Sequence, residues 1–308
     1  MRDGTRSGDH SGDHSGDHSG DHSGDHSGDH SGGLGLIWAA GASLPFAEPL
    51  DGAPLRMLGP GSSDPAVFQG FRDEWWDPAL RAQLAVAAFG AGKWREVWLP
   101  GPDNTVENLQ VQVQSLLALR RRARGRRQAE ILGQAADFVA YFHKLLGTGD
   151  RRRPATAVLV EIGVAIGHMV GMYWKDQWKR MRPGQVYPAL MTLVPTPGHP
   201  SYPSNHALQS WLAYRCVVEG MRGAGVDEGV REAVDEMLRA LALRIGENRE
   251  VAGVHFNDDS RAGRFLADAL IGMVKELPPF TGLFAAVKAE WAGVVAMAPP
   301  LPPLPVED

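Results

Sequence analysis

Three stretches of this chain carry side chains that could hold an oxyanion and do chemistry on it. They are Lys175 to Pro183, Pro203-Ser204-Asn205-His206, and Asn248-Arg249 through His255 to Asp259. Lys175 and Arg182 are seven residues apart, nearly two helical turns, so on one helix both would project from the same face. Pro183 disfavours helical geometry at Arg182 and should end that helix there. Ser204 or Asn205 reads as a helix N-cap, whose free N–H groups favour an anion, with the Ser204 hydroxyl as a further donor and His206 in the first turn. Arg249 precedes His255 by six residues and Asp259 follows it by four. A carboxylate at that spacing can hold one ring nitrogen of His255 and leave the other free as a nucleophile. Asp258 competes for the role, and spacing does not choose between them. Read singly, the first stretch is most simply a solvated cationic face and the second a capped helix.

The elements that must position these groups read as helices. Val106, Leu109, Val113, Leu116 and Leu117 recur at helical spacing behind a cap at Asp103 or Asn104. Ile131, Ala135, Phe138, Phe142 and Leu145 mark a second helix, separated from the first by a basic run, Arg120 to Arg127, that reads as a solvated junction around Gly125. A nearly all-apolar helix should run from Pro154 to about Met181, a further one from Ala207 to Met221, and an amphipathic one from Val226 to Gly246. Asn257 or Asp258 can cap the last core helix. No alternating strand pattern occurs, so an all-α bundle is expected over about residues 75–298.

Four segments follow. Residues 1–33 hold six copies of Ser-Gly-Asp-His with no apolar side chain among them, and are expected to be a disordered tail that binds divalent metal weakly at most. Residues 34–103 are rich in Gly, Pro and Trp and should pack on the core, with Trp75, Trp76, Trp94 and Trp98 as a collar. Residues 104–298 are expected to form the helical domain that carries the three stretches, and 299–308 a Pro-rich tail.

The formal net charge is −5, and residues 1–33, with seven Asp and two Arg, account for all of it. The neutral remainder gives no drive toward nucleic acid. Cys216 is the only cysteine, which excludes an intrachain disulfide and Cys-based metal sites. No signal peptide is evident, and Ala155–Trp174, which contains Glu161 and His168, reads as a buried core helix rather than a membrane span. A soluble, cytoplasmic protein is expected, with no transmembrane segment; association into a homo-oligomer is left open.

Taken together, the three stretches resemble the superfamily that unites type-2 phosphatidic acid phosphatases, bacterial acid phosphatases and vanadium haloperoxidases. Its pattern is Lys-x6-Arg-Pro, Pro-Ser-Gly-His and Ser-Arg-x5-His-x3-Asp. Here it reads Lys175…Arg182-Pro183, Pro203-Ser204-Asn205-His206 and Asn248-Arg249…His255…Asp259, over roughly residues 105–275. Asn205 stands where Gly is usual and keeps the backbone donor; Asn248 replaces a Ser. The resemblance implies a helical bundle of the acid phosphatase/haloperoxidase type. Lys175, Arg182, Ser204, Asn205 and Arg249 would bind the oxyanion. In a phosphatase, His255 would attack phosphorus, Asp259 would orient it and His206 would protonate the leaving group, with no cofactor and a small phosphate ester as substrate. In a haloperoxidase the pocket would hold vanadate on His255, act on halide and peroxide, and His199 would tune the oxidant. A soluble phosphatase is the leading expectation; a catalytically silent oxyanion- or metal-binding scaffold is a third reading.

Overall fold

Glycine sets the centre of the fold. Helix α4 (Pro154–Trp178) carries Gly163, Gly167 and Gly171 at four-residue intervals, on one face. That face lies on α6 (Asn205–Gly223). A Cβ at Gly163 would strike the Ala213 backbone, one at Gly167 would lie 3.0 Å from Gln209 Cα, and one at Gly171 would meet the Asn205 amide oxygen. The missing side chains let the two backbones approach closely along this face. On the far side of α6, Gly263 of α8 (Asn257–Val274) sits where a Cβ would be 2.7 Å from Ser204 O. The start of α6 is therefore gripped from both sides.

The computed structural model describes residues 76–149 and 152–296, and among these residues all regular structure is helical. The repeat tail, most of the Gly/Pro/Trp-rich segment and the Pro-rich tail lie outside the described residues. Helices α1 (Pro78–Gly90) and α3 (Val139–Leu146) pack on α4. Helix α7 (Glu228–Val251) flanks α6, and α2 (Val106–Asp137) lies along α7. Short helices α5 (Pro183–Val186), α9 (Pro278–Thr281) and α10 (Phe284–Glu290) complete the set. Ile162 and Ile166 of α4, Leu208 and Leu212 of α6, and Leu266 and Leu270 of α8 share one core, each fully buried. Burying an aliphatic side chain of this size contributes about 1.5–3 kcal/mol. Cys216 belongs to the same core, as its apolar setting predicts.

Local chemistry sets the ends. Pro154 starts α4 without an N–H to satisfy, and Glu290 from α10 takes the next two, Ala155 N at 2.6 Å and Thr156 N at 2.9 Å. Asp227 caps α7 by accepting from Val230 N, and Ser204 caps α6 by accepting from Ala207 N.

Three expectations need correction. The cap of α2 is Thr105, which accepts from Asn108 N, while Asp103 Oδ1 accepts from Thr105 N. Helix α2 also does not break at Gly125. Its arginines dock on carbonyls: Arg120 Nη1 donates to Leu190 O (2.8 Å), and Arg124 donates to Met191 O (2.5 Å) and Val251 O (3.1 Å). A helix with those anchors carries one mid-helix glycine at a cost of only about 1 kcal/mol. Finally, α4 stops at Trp178, because Lys179 adopts a left-handed φ of 45° and donates to Lys175 O. Arg182 lies beyond it in extended backbone, as Pro183 demands. Lys175 and Arg182 thus share no helix face; the turn through Lys179 brings them together instead.

By length and composition the segment Pro154–Val186 could cross a membrane, with mean hydropathy 1.7, and the bent pair Asn257–Val274 and Pro278–Glu290 passes the same test together. In the fold 78% of the first segment's apolar window is buried against the protein's own helices. The collar is uneven: Trp94 is buried, whereas Trp98 is 66% exposed and stands edge-on to Trp174 and Trp178.

Candidate active site

The ends of α4 and α7 and the starts of α6 and α8 bring the three stretches together. Lys175 is in the last turn of α4, Arg249 in the last turn of α7, His206 in the first turn of α6, and Asp259 in the first turn of α8. Arg182 and His199 come from the connection between α4 and α6. Lys175, Arg180, Arg182, Ser204, Asn205, Arg249, His255 and Asp259 are all buried.

His255 is held in one tautomer. Arg182 Nη1 lies 2.9 Å from His255 Nε2, and a guanidinium can only donate, so Nε2 is the acceptor. In the neutral ring Nδ1 then carries the proton and donates to Asp259 Oδ2 at 3.1 Å. Asp258 faces away, where it accepts from Gln112 Nε2. The choice between the two carboxylates therefore falls on Asp259. Burial lowers the His255 pKa well below the usual imidazole value, and Arg182, Lys175, Arg249 and His199 lower it further. The ring is neutral at physiological pH, with a lone pair on Nε2.

Asp259 has more partners than spacing disclosed. Arg180 Nη1 donates to Oδ1 at 2.9 Å; Ser201 Oγ and Phe256 N donate to Oδ2 at 2.5 and 2.9 Å. Neither Arg180 nor Ser201 was picked out from the sequence. Arg180 had a signal, as one of two further cations, with Lys179, between Lys175 and Arg182; Ser201, one hydroxyl in a long loop, had none.

The cations differ in how they are occupied. Lys175 Nζ donates to three carbonyls, Pro200 O (2.7 Å), Ser201 O (3.0 Å) and Pro203 O (2.5 Å), which satisfies all three of its hydrogens. Burial and the Arg182 charge push its pKa well down, against the pull of Asp259. Arg182 spreads its fork over His199 O, Val254 O, Pro200 O, His255 and His199 Nδ1. Its pKa falls to about 9 through burial, with Asp259 opposing and Arg249 adding. Arg249 is the least satisfied: its Nε and Nη1 are both buried with no partner, whereas in Arg180 only Nε is. Burial lowers its pKa to about 10.

His206 lies against Phe138, ring centroids 5.1 Å apart. Burial lowers its pKa well below normal, followed by Arg249, His255, Arg182 and His199. His199 accepts from Arg182 Nη2 at 3.0 Å through Nδ1, and burial, Lys175 and Arg182 bring its pKa to about 3. Ser204 Oγ serves the helix cap, and the Asn205 amide oxygen is buried without a partner. The N–H groups of Asn205 and His206, first and second in α6, have no intrahelical acceptor.

Lys175, Arg180, Arg182 and Arg249 are all buried; Asp259 pairs with Arg180 and acts on Lys175 and Arg182, and Arg249 has no carboxylate to offset its burial. Leaving a buried charge unpaired costs several kcal/mol, and a bound anion would offset that. Outside this cluster, an apolar groove of about 590 Å³ opens between α2 and α5, lined by Val106, Leu109, Val113, Leu117, Val186 and Tyr187.

No protein-family model matches the chain. No curated protein matches it. One solved structure to which it is similar is that of "the first transmembrane PAP2 type phosphatidylglycerolphosphate phosphatase from Bacillus subtilis". The two are 17% identical, the match covers 64% of this chain and 82% of that chain, and the TM-score is 0.33.

Proposed function

We propose that the chain is a phosphatase that hydrolyses a phosphomonoester through a phosphohistidine. The observation that carries this reading is the juxtaposition of Arg249, buried with free donors, and His255, neutral with its Nε2 lone pair on the cationic side. Buried donors without an acceptor call for an anion, and a neutral imidazole with its other nitrogen on a carboxylate is built to attack one. The match to the superfamily pattern at Lys175, Arg182, Ser204, His206, Arg249, His255 and Asp259 adds independent support.

The ester phosphate is taken up by Arg249, Arg182 and the first N–H groups of α6. Its charge draws Arg182 off His255, and Nε2 attacks phosphorus. The N–P bond forms as the ester P–O bond breaks, and the leaving oxygen takes a proton from His206. The empty site holds His206 neutral; the bound dianion offsets the arginines and restores its proton affinity. His206 then takes a proton from water as that oxygen attacks phosphorus. The electron pair of the N–P bond returns to Nε2 and phosphate leaves. Asp259 stabilises the charge that forms on the ring.

Vanadate has the phosphate shape, and the same donors and the His255 lone pair suit it. Bound there, it would supply peroxide activation for halide oxidation, the second reading. Two assays on the purified protein separate them. Hydrolysis of p-nitrophenyl phosphate that vanadate inhibits, with a base-stable, acid-labile phosphoenzyme that His255→Ala abolishes, is the expected result. Bromide oxidation that requires vanadate, without ester hydrolysis, would replace the phosphatase reading. Retention of both activities by His255→Ala would remove this site from the chemistry.

A further inference from the structure

We infer that Arg180 and Ser201 are positioning residues that act on His255 through Asp259. The inference rests on the phosphatase reading for its kinetic arm and on geometry alone for its spectroscopic arm. Asp259 Oδ2 receives three donors, Ser201 Oγ, His255 Nδ1 and Phe256 N, and Oδ1 receives Arg180. The carboxylate can turn about its bond only by losing two or more of these. Its plane, and with it the line from Oδ2 through Nδ1 to Nε2, is therefore fixed from outside the histidine. Ser201 Oγ also lies 3.5 Å from His255 Nδ1, so it closes the space into which that ring edge would tilt.

Arg180 is itself held. Its guanidinium lies 4.4 Å over the Phe256 ring, and Nη2 reaches Asp103 O at 3.4 Å. Phe256 stands between His255 and Asn257, so the same residue that steadies Arg180 also donates its N–H to Asp259. The loop that carries Ser201 is fixed by Lys175, which binds the carbonyls of Pro200, Ser201 and Pro203. Arg180 and Ser201 thus approach Asp259 from two segments that are tied to each other, since Ser201 N donates to Arg180 O at 2.9 Å.

The electrostatic consequence has a sign. Each donor taken from Asp259 makes the remaining carboxylate charge a stronger acceptor for His255 Nδ1–H, which raises the proton affinity of the ring. The other charged or titratable groups facing His255 are Lys175 on α4, Arg182 and His199 on the loop, Arg249 on α7 and His206 on α6. None of them is altered by substitution at Arg180 or Ser201. A protonated His255 cannot attack phosphorus, so the acid limb of kcat/KM should move to higher pH.

The test compares wild type with Ser201→Ala, Ser201→Thr, Arg180→Met and Arg180→Lys, on p-nitrophenyl phosphate with orthovanadate as inhibitor. In Ser201→Ala and Arg180→Met, kcat should fall by about tenfold or more, the scale seen when a partner that orients a metal-bound histidine is removed. KM and vanadate inhibition should stay near wild type, and the acid limb should rise. Ser201→Thr and Arg180→Lys, which return the hydroxyl and the charge, should recover most of the loss. Loss without movement of the acid limb, or no recovery in variants that melt like wild type, would overturn the inference. Histidine ¹⁵N spectra against pH need no turnover. Wild-type His255 should be the Nδ1–H tautomer and titrate higher in Arg180→Met and Ser201→Ala. An Nε2–H tautomer or unmoved titration overturns the inference. Absence of ester hydrolysis by wild type, with the expected spectra, would instead remove the phosphatase reading and leave this one standing.

Discussion

Arg182 Nη1 donates to His255 Nε2 across 2.9 Å, and Nη2 of the same guanidinium donates to His199 Nδ1 across 3.0 Å. One residue therefore covers the His255 Nε2 lone pair and ties it to the loop. On the phosphatase reading, an anion entering between Arg249 and Arg182 would compete for Arg182 and uncover that lone pair.

A point charge cannot span those partners. Arg182→Lys should lower kcat about 10²–10³-fold, the usual cost of a lost transition-state donor, although the charge is kept. Steady-state kinetics on p-nitrophenyl phosphate check this, and a variant within a fewfold of wild type would show that the fork has no role.

Arg249 should trade stability against binding. Its guanidinium is buried with two unpaired nitrogens, so Arg249→Met, of similar volume, should leave the Tm of the phosphate-free protein unchanged or raised. Phosphate or vanadate should raise the wild-type Tm by mass action and should barely move that of the variant. Equal ligand-induced shifts in thermal melts would place the anion elsewhere.

Stability should fall with acid. His199, His206 and His255 all have folded pKa values below the ordinary imidazole value, His199 at about 3. The unfolded chain binds protons at about pH 6.5, where the folded one does not. Stability contributed by these groups is full above that pH and is lost as pH falls toward 3. Urea titrations across pH 7 to 4 should show proton uptake on unfolding, reduced in His206→Gln. Flat stability over the window would mean that the imidazoles are solvated.

A glycine of the α4 stripe and one in α8 give opposite expectations for the same substitution. Gly163→Ala places a methyl into the Ala213 backbone and should destabilise by about 1–3 kcal/mol or more. Gly272→Ala, with nothing within 4 Å of the new Cβ, should stabilise by about 0.5–1 kcal/mol. Denaturant melts of the two would expose a wrong α4–α6 spacing if Gly163→Ala were neutral.

The apolar periodicities made the helices legible, since burial dictates those positions directly. Their ends were less so. The stop at Lys179 depends on a left-handed residue that no Gly or Asn announces, and the passage of α2 through Gly125 depends on carbonyls about seventy and 125 residues away. Within the site, Asp259 was in view because i, i+4 spacing on a helix start reaches back to His255. Ser201 was not, because its role exists only once Lys175 has folded the 200–203 loop onto α8. The same folding spends the three hydrogens of Lys175 on that loop, an arrangement its charge and spacing alone did not suggest.

Arg120 and Arg124 of α2 grasp the carbonyls of Leu190, Met191, Val251 and Ala252, the approaches to the site from both sides. The candidate site residues hang from α4, α6, α7 and α8, but two of the connecting segments are buttoned to a helix that supplies none of them. Partial loosening of α2 would release them while the central helices remain intact. The protein has, in effect, a fuse: mild denaturation should silence it before it melts.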